Sequence, residues 1–363
     1  MRFRFLLAIC ALSFGALLDP AAAQAPRKLT YAHYLAANQG TLVEIDAWFM
    51  DEVTKRTNGR VTFERYYSGT LLKAVDIMPG VGAKAADIGT GAPGAYNRRD
   101  YPISSITLPF ISSKLDSVIK SYRELYDSND SFRKEYESRG VKLLYAPAYA
   151  ENAVWSTKPI ATPAQLKGLK IRALLSVGDV FAKLGASPVA MPWHEAIEGM
   201  QRGVIDAMSA APIDTAVRGG LHEVAKYGGD VGDMGIYAMS TTVINLEVWN
   251  SLDPETQKVM QEVAAEMPQH YLKTLNADMD IAVGKLIERA KGGKFELQLF
   301  SEADAKRMRE TVGKEVWQEW VQTVNKSGSD GQKILDEFIA LTQKYDKLSD
   351  YESGFSRLRR ATK

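Results

Sequence analysis

Two segments near the start of the chain decide its fold class: KLTYAHYL at residues 28–35 and RVTFERY at residues 60–66. Each predicts a β-strand, and the amphipathic pattern over residues 39–56 predicts a helix between them. Asn58 and Gly59 mark a turn before the second strand. Strands that alternate with helices at this spacing form a mostly parallel sheet, so the sequence predicts an α/β fold.

The same alternation continues outward from these segments. Further strands are predicted at residues 141–146 and 169–174, and further helices at 72–85 (with Pro79 as a kink), 114–138, 177–184 and 194–202. The last third changes character, because residues 253–290 and 301–347 are charged and amphipathic and predict long helices. Residues 350–363 are polar, and we expect a loosely held tail there.

The first 23 residues have the pattern of a secretory signal peptide. Arg2 and Arg4 precede an apolar stretch over residues 5–18, and Ala21 to Ala23 provide small residues for cleavage. The single cysteine, Cys10, lies inside the apolar stretch. We therefore expect a secreted mature chain that begins near Gln24 and has no thiol, which excludes disulfides, cysteine nucleophiles and cysteine-bound zinc.

Composition and charge restrict the classes of partner. Of the 363 residues, 45% are hydrophobic and 25% are charged, which is ordinary for a globular protein large enough for two cores. The formal net charge is +1, so no basic field indicates nucleic acid. No apolar stretch after the first is long enough to predict a membrane span.

Several short motifs carry a resemblance to a known family. They are TYAH at 30–33, ADIG at 86–89, LPF at 108–110, PAQLKGLKIR at 163–172, LGASP at 184–188, MPW at 191–193, QRGVID at 201–206 and WNSLDP at 249–254. In this order and spacing they resemble the substrate-binding proteins of tripartite ATP-independent periplasmic (TRAP) transporters, over essentially the whole mature chain.

This resemblance implies a two-domain periplasmic binding protein of the Venus-flytrap type, with a ligand cleft between the domains. We expect residues 24–148 plus 237–275 in domain I, residues 149–236 plus 276–347 in domain II, and residues 348–363 as the tail. The implied function is to capture a small organic acid in the periplasm and deliver it to TRAP membrane subunits, without catalysis. A monomer is the default for a diffusing carrier, and a homodimer through a long C-terminal helix is the alternative.

Arg172 is the first candidate for ligand binding. In the predicted strand it alternates with Leu169 and Ile171, so it points away from that apolar pair. A guanidinium offers two parallel donors to a carboxylate and stays charged when desolvated. The resemblance implies that the arginine of this motif clamps the substrate carboxylate, whereas the residues alone leave open an ordinary surface arginine paired with an acid.

Aromatic residues are the candidates for the remaining binding surface. Trp193 matches an aromatic position that the family places on the ligand. Further candidate faces are Tyr34, Tyr96, Tyr149, Trp155 and Tyr237. For each of these taken alone, packing in the core is the alternative.

Departures from the family pattern bear on the ligand. Many relatives that bind acids carry a second arginine at the place that aligns with Asn152, and those that bind a metal carry a Glu-Trp or Glu-Asn pair where this chain reads DAMSAA at residues 206–211. We therefore expect no metal and no cofactor, include Asn152 and Ser209 among the site residues, and predict a monocarboxylate with an apolar or aromatic body.

Three other functions are weighed against this one. GTGAPG at residues 89–94 formally matches a dinucleotide fingerprint, but Pro93 and the polar residues after it predict a loop. A secreted hydrolase is the second alternative, but the four histidines are scattered along the sequence and form no recognisable hydrolase motif. A sensor for a signalling receptor, or a binding protein for an ABC importer, would keep the fold and change the partner.

Overall fold

A computed structural model describes residues 26–191 and 193–362 of the chain. The predicted signal peptide, Cys10 and the expected start at Gln24 lie outside these residues. No helix in the described part is both long and apolar enough to cross a bilayer.

The first of two sheets has five strands in the order β2-β1-β3-β10-β4. β1 pairs in parallel with β2 and β3, and β10 runs antiparallel between β3 and β4. The predicted strand–helix–strand unit at the start of the chain is thus present. The strands are β1 (Arg27–His33), β2 (Val61–Tyr66), β3 (Ile88–Gly91), β4 (Val141–Tyr145) and β10 (Thr241–Asn245).

The second sheet has six short strands in the order β11-β9-β5-β8-β6-β7. β6 pairs in parallel with β7 and β8, whereas β5 is antiparallel to both of its neighbours. The strands are β5 (Val154–Ser156), β6 (Lys170–Arg172), β7 (Ser187–Val189), β8 (Ala207–Met208), β9 (Tyr227–Gly229) and β11 (Glu296–Leu297).

Fifteen α-helices cover the sheets in the described residues. They are α1 (Thr41–Arg56), α2 (Ile77–Gly82), α3 (Pro93–Tyr96), α4 (Leu115–Ser128), α5 (Asp130–Glu137), α6 (Leu175–Lys183), α7 (Trp193–Gln201), α8 (Ile213–Arg218), α9 (Leu221–Val224), α10 (Leu246–Asn250), α11 (Pro254–Lys291), α12 (Glu302–Met308), α13 (Lys314–Lys326), α14 (Gly331–Asp346) and α15 (Gly354–Thr362). Short 3-10 turns occupy Ile103–Ser105 and Pro163–Leu166, and one π-helical turn occupies Arg309–Gly313.

Some helices differ from the prediction in length and number. The helix expected over residues 114–138 is two helices, because Asn129 leaves helical geometry and its side chain caps α5 by accepting a bond from the amide of Phe132. The helix expected over residues 72–85 is confined to Ile77–Gly82. The region 301–347 is divided among α12, α13 and α14 by the π-helical turn and by a turn before Asp330.

The expectation of a loosely held tail is wrong. Residues 354–362 form α15, which packs on α11 and α8. Phe355 and Leu358 are 3% and 0% exposed. Two further bonds hold the segment before and at the start of the helix, because Tyr351 Oη and the amide of Gly354 donate to the buried carboxylate of Glu151. The tail is polar in composition but its apolar residues are spaced to form one helical face.

Candidate functional site

A cavity of about 540 Å³ lies between the two sheets. From the first sheet it receives residues at the ends of β1 and β3, including Tyr34 and Tyr96. From the second sheet it receives Arg172 at the end of β6 and Trp193 at the start of α7. The carboxyl ends of parallel strands meet here from both sides, which is where α/β sheets collect ligands.

Arg172 is the one charged residue among the described residues that line the cavity. It is 6% exposed, and its Nε and Nη1 donate to the backbone carbonyls of Met191 and Ser209 at 3.3 and 3.2 Å. No carboxylate of the described residues lies within 4 Å of it, and burial lowers the pKa of the guanidinium. Its remaining N–H donors are therefore available to an anion in the cavity.

Aromatic side chains form the wall around this charge. Trp193 lies with its ring 5.8 Å from the guanidinium carbon of Arg172. Tyr34 and Tyr149 share a hydrogen bond of 2.6 Å between their hydroxyls, and Tyr34 also meets Tyr96 edge to face at 5.4 Å. Tyr237 packs on Tyr149 at 5.8 Å. Burial raises the pKa of all four tyrosines, so these phenols remain neutral donors and acceptors.

A buried polar network lies beneath Tyr34 and fixes the end of β1. Asp46 is 0% exposed and accepts bonds from Tyr31 and Tyr145. Burial raises the pKa of Asp46 to about 6 and lowers the pKa of His33, 3.6 Å away, to about 3. His33 is therefore neutral at physiological pH, and the pair has no direct access to the cavity.

Three of the predicted site residues do not turn their side chains to the cavity. Trp155 is fully buried in the core, where its Nε1 donates to the carbonyl of Ala211 at 2.7 Å and its ring packs near Phe295 and Phe355. Asn152 and Ser209 are 0% exposed and bond to each other at 2.9 Å. In this structure these three side chains lie behind the cavity wall and support it, and none of them lines the cavity.

Several lining residues were not identified in the sequence. Gln39 and Leu42 reach the cavity from the start of α1, Met191 from the loop before α7, and Thr215 from α8. Only Gln39 and Thr215 are polar, and both lie near the start of a helix. The sequence signal for Gln39 and Thr215 is therefore a polar residue close to the start of a predicted helix.

Ion pairs join the two sides of the cleft. Arg98, just after α3, lies 3.3 Å from Asp179 on α6. Arg218 on α8 pairs with Glu44 on α1 at 2.7 Å and also with Asp278 on α11. The side chains of these pairs are 23–44% exposed, so each pair contributes about 1 kcal/mol or less. Contacts of this strength can separate when the two sides of the cleft move apart.

The glycines of the possible dinucleotide fingerprint have packing roles. A Cβ at Gly89 would lie 2.7 Å from the side chain of Val81 on α2, and one at Gly94 would lie 3.2 Å from Ser105. The helix that follows, α3, has only four residues. Close packing of β3 on α2 accounts for the glycines, and a helix that short cannot present the N-terminus that a pyrophosphate needs.

Metal-ligating side chains do not gather in the described residues, where no group of three or more His, Cys, Asp or Glu is placed to hold an ion. Two α/β sheets around a cleft with one free guanidinium and aromatic walls define a solute-binding protein. The family comparison agrees with this class. The chain belongs to the bacterial extracellular solute-binding proteins, family 7, whose model matches residues 31–323.

Individual relatives give the same result. The chain is similar to the 2,3-diketo-L-gulonate-binding periplasmic protein YiaO of Escherichia coli strain K12, with 27% identity over 296 residues that cover 80% of this chain and 85% of that protein. YiaO is a periplasmic binding protein, in agreement with the family match.

Solved structures share the fold over nearly their whole length. One is an open complex of a TRAP periplasmic solute-binding protein from Desulfovibrio salexigens, with a TM-score of 0.75, 25% identity, and coverage of 90% of this chain and 98% of that one. Another is a TRAP solute-binding protein from Rhodoferax ferrireducens in complex with copurified benzoate, with a TM-score of 0.75, 21% identity, and coverage of 89% and 99%.

Proposed function

We propose that this TRAP solute-binding protein captures a small organic monocarboxylate with an apolar or aromatic body. The observation that carries the proposal is the buried Arg172, whose free donors face a cavity that contains no other charged residue in its described lining. One guanidinium matches one carboxylate in charge and in geometry. A second carboxylate would enter an apolar space without a partner, which is costly.

The aromatic wall supports the rest of the ligand. A charge-assisted hydrogen bond contributes about 1.5–3 kcal/mol, whereas micromolar affinity requires about 8 kcal/mol. Burial of an apolar ligand body against Trp193, Tyr34, Tyr96 and Tyr237 is the natural source of the difference. The Rhodoferax protein with benzoate shares the fold at 21% identity, so the ligand class proposed for this chain rests on the cavity itself.

The family and the cleft support a role in transport. In this proposal the ligand is enclosed when the predicted domains, 24–148 plus 237–275 and 149–236 plus 276–347, close around the cavity, and the closed protein docks on TRAP membrane subunits. The predicted signal peptide over residues 1–23 would direct the chain to the periplasm.

Calorimetric titration of the mature protein tests the ligand class. We expect benzoate or phenylacetate to bind, benzamide to bind at least about tenfold more weakly because it lacks the charge, and succinate to bind more weakly still. Native mass spectrometry of the protein purified from periplasm would identify the ligand that it carries. Tight binding of succinate or malate, without binding of aromatic or branched monocarboxylates, would contradict the proposal.

A further inference from the structure

The turn after β8 holds an unfavourable backbone conformation next to the cavity. Ala210 has a φ of +55°, in the left-handed region that is unfavourable for residues with a Cβ. Such a conformation persists only where surrounding contacts fix it. Ala210 itself lines the cavity, and Ser209 precedes it.

Asn152 supplies those contacts. Its Oδ1 accepts two hydrogen bonds of 2.9 Å, one from the amide of Ala210 and one from the hydroxyl of Ser209. Both lone pairs of the amide oxygen are thereby used. On the other side, Nδ2 reaches only the sulfur of Met234, at 3.8 Å. The whole side chain is 0% exposed, so it is committed to the turn and does not face a ligand.

The same turn orients the guanidinium. The carbonyl of Ser209 accepts from Arg172 Nη1 at 3.2 Å, and the amide of Ser209 donates to the carbonyl of Arg172 at 2.7 Å. Among the described residues, one other bond, from Nε to the carbonyl of Met191, fixes the guanidinium plane. A shift of the 209–210 turn would therefore redirect the free donors of Arg172.

Asn152 is also tied to the segments that cross between the sheets. Asn152 lies between β4 and β5. Its backbone N–H donates a hydrogen bond of 2.8 Å to the backbone carbonyl of Gly235, which lies between β9 and β10. Gly235 has a φ of +70°, and a Cβ there would lie 2.2 Å from the carbonyl oxygen of Ser112. The backbone of Asn152 is thus held between two crossing segments while its side chain holds the turn.

We propose that Asn152 is a positioning residue for ligand binding: it aims the guanidinium of Arg172 at the ligand carboxylate by holding the Ser209–Ala210 turn. The inference rests on the proposed function and goes beyond it by assigning carboxylate selectivity to a residue that does not contact the ligand. Loss of the Asn152 side-chain amide should therefore weaken the binding of acids more than the binding of uncharged ligands.

Affinities for benzoate and benzamide in Asn152→Ala test this role. We expect the preference for the acid over the amide to fall about tenfold, with benzamide affinity within about twofold of wild type. Adding Ala210→Gly should restore part of the preference, because glycine adopts a positive φ without a Cβ. An equal loss for both ligands, or no loss for either, would overturn the proposal.

Two further measurements keep the test decisive. If Asn152→Ala does not fold, Ser209→Ala removes one of the two bonds and keeps the carbonyl that Arg172 uses, and we expect a fall of about two- to threefold in the same preference. In the ligand-free protein, hydrogen exchange at Arg172 Nε should accelerate in the variant. Unchanged exchange would refute the positioning role, and this result does not depend on ligand binding. If the wild-type protein bound neither ligand, that separate result would contradict the proposed function.

Discussion

Replacement of Arg172 by methionine separates the role of the guanidinium in binding from its role in the fold. The wild-type group is buried without a carboxylate partner, so its lost hydration is only partly replaced by two bonds to backbone carbonyls. Those bonds contribute about 1.5–3 kcal/mol each, and the desolvation cost of one ion is several kcal/mol. Because the two effects nearly cancel, we expect the free energy of unfolding of the ligand-free Arg172→Met variant to lie within about 1 kcal/mol of the wild-type value, or above it.

Ligand binding should respond strongly to the same change. Loss of the proposed bond to the carboxylate corresponds to about 10- to 150-fold in Kd. At a benzoate concentration of about 100 times the wild-type Kd, the wild-type protein gains about 2.7 kcal/mol of stability. A variant with a hundredfold weaker Kd gains only about 0.4 kcal/mol at that concentration.

Denaturant unfolding with and without benzoate measures both quantities in one assay. Arg202→Met is the matched control, because Arg202 on the protein surface has a side chain that is 76% exposed, and it should change neither quantity. If Arg172→Met lost more than about 2 kcal/mol without ligand, the guanidinium would be a structural group. If the variant kept the full gain from benzoate, the carboxylate would not be bound by Arg172.

Further predictions separate cavity, core and charge. Trp193→Ala should weaken benzoate about tenfold, whereas Trp155→Phe should keep affinity within about twofold and lose about 1 kcal/mol of stability; calorimetry that showed the reverse would move Trp155 back to the cavity. Phe355→Ala should cost about 3–5 kcal/mol in denaturant unfolding and the exposed Arg359→Ala almost nothing, and equal small effects would mean that α15 is not packed. Burial and the nearby acids raise the pKa of Asp230 from 3.8 to about 8. Between about pH 4 and 8 the Asp230 carboxyl therefore keeps its proton in the folded protein, whereas it has lost the proton in the unfolded chain. Because the folded state binds more protons, this group makes the free energy of unfolding fall as pH rises through that window. Asp230→Asn should flatten that fall between pH 5 and 8, and an unchanged slope would contradict the assignment.

The sequence predicted those parts of the fold whose signal is local. β1, α1 and β2 are long enough for periodicity to be visible, and their order alone indicates a parallel sheet. The second sheet gave a weaker signal, because strands such as β8 (Ala207–Met208) and β11 (Glu296–Leu297) are too short to show alternation. The tail was misjudged from its composition, although Phe355 and Leu358 have helical spacing.

The candidate site divides in the same way. Arg172 could be found because strand alternation and a family motif indicate the same residue. Trp155 could not be separated from the cavity aromatics, because the rings that bury it, Phe295 and Phe355, come from distant parts of the chain. Asn152 aligned with a ligand-binding position of relatives, and only the contacts with Ser209 and Ala210 distinguish support from contact.

The cavity also explains why the cation in its described lining is an arginine. Burial lowers the pKa of the Arg172 guanidinium, and the same burial would lower the pKa of a lysine ammonium. A fully buried lysine can shift by about 3–5 units from about 10.4, which brings it close to the neutral form at physiological pH. The ordinary pKa of a guanidinium is well above that of an ammonium, so a buried guanidinium stays charged. Arg172→Lys should therefore bind carboxylates weakly for two reasons, because it loses the paired donors and part of its charge. To detect the loss of charge, the affinity for benzoate is measured from pH 6 to 9. We expect the affinity of the lysine variant to fall over this range and that of the wild type to stay constant.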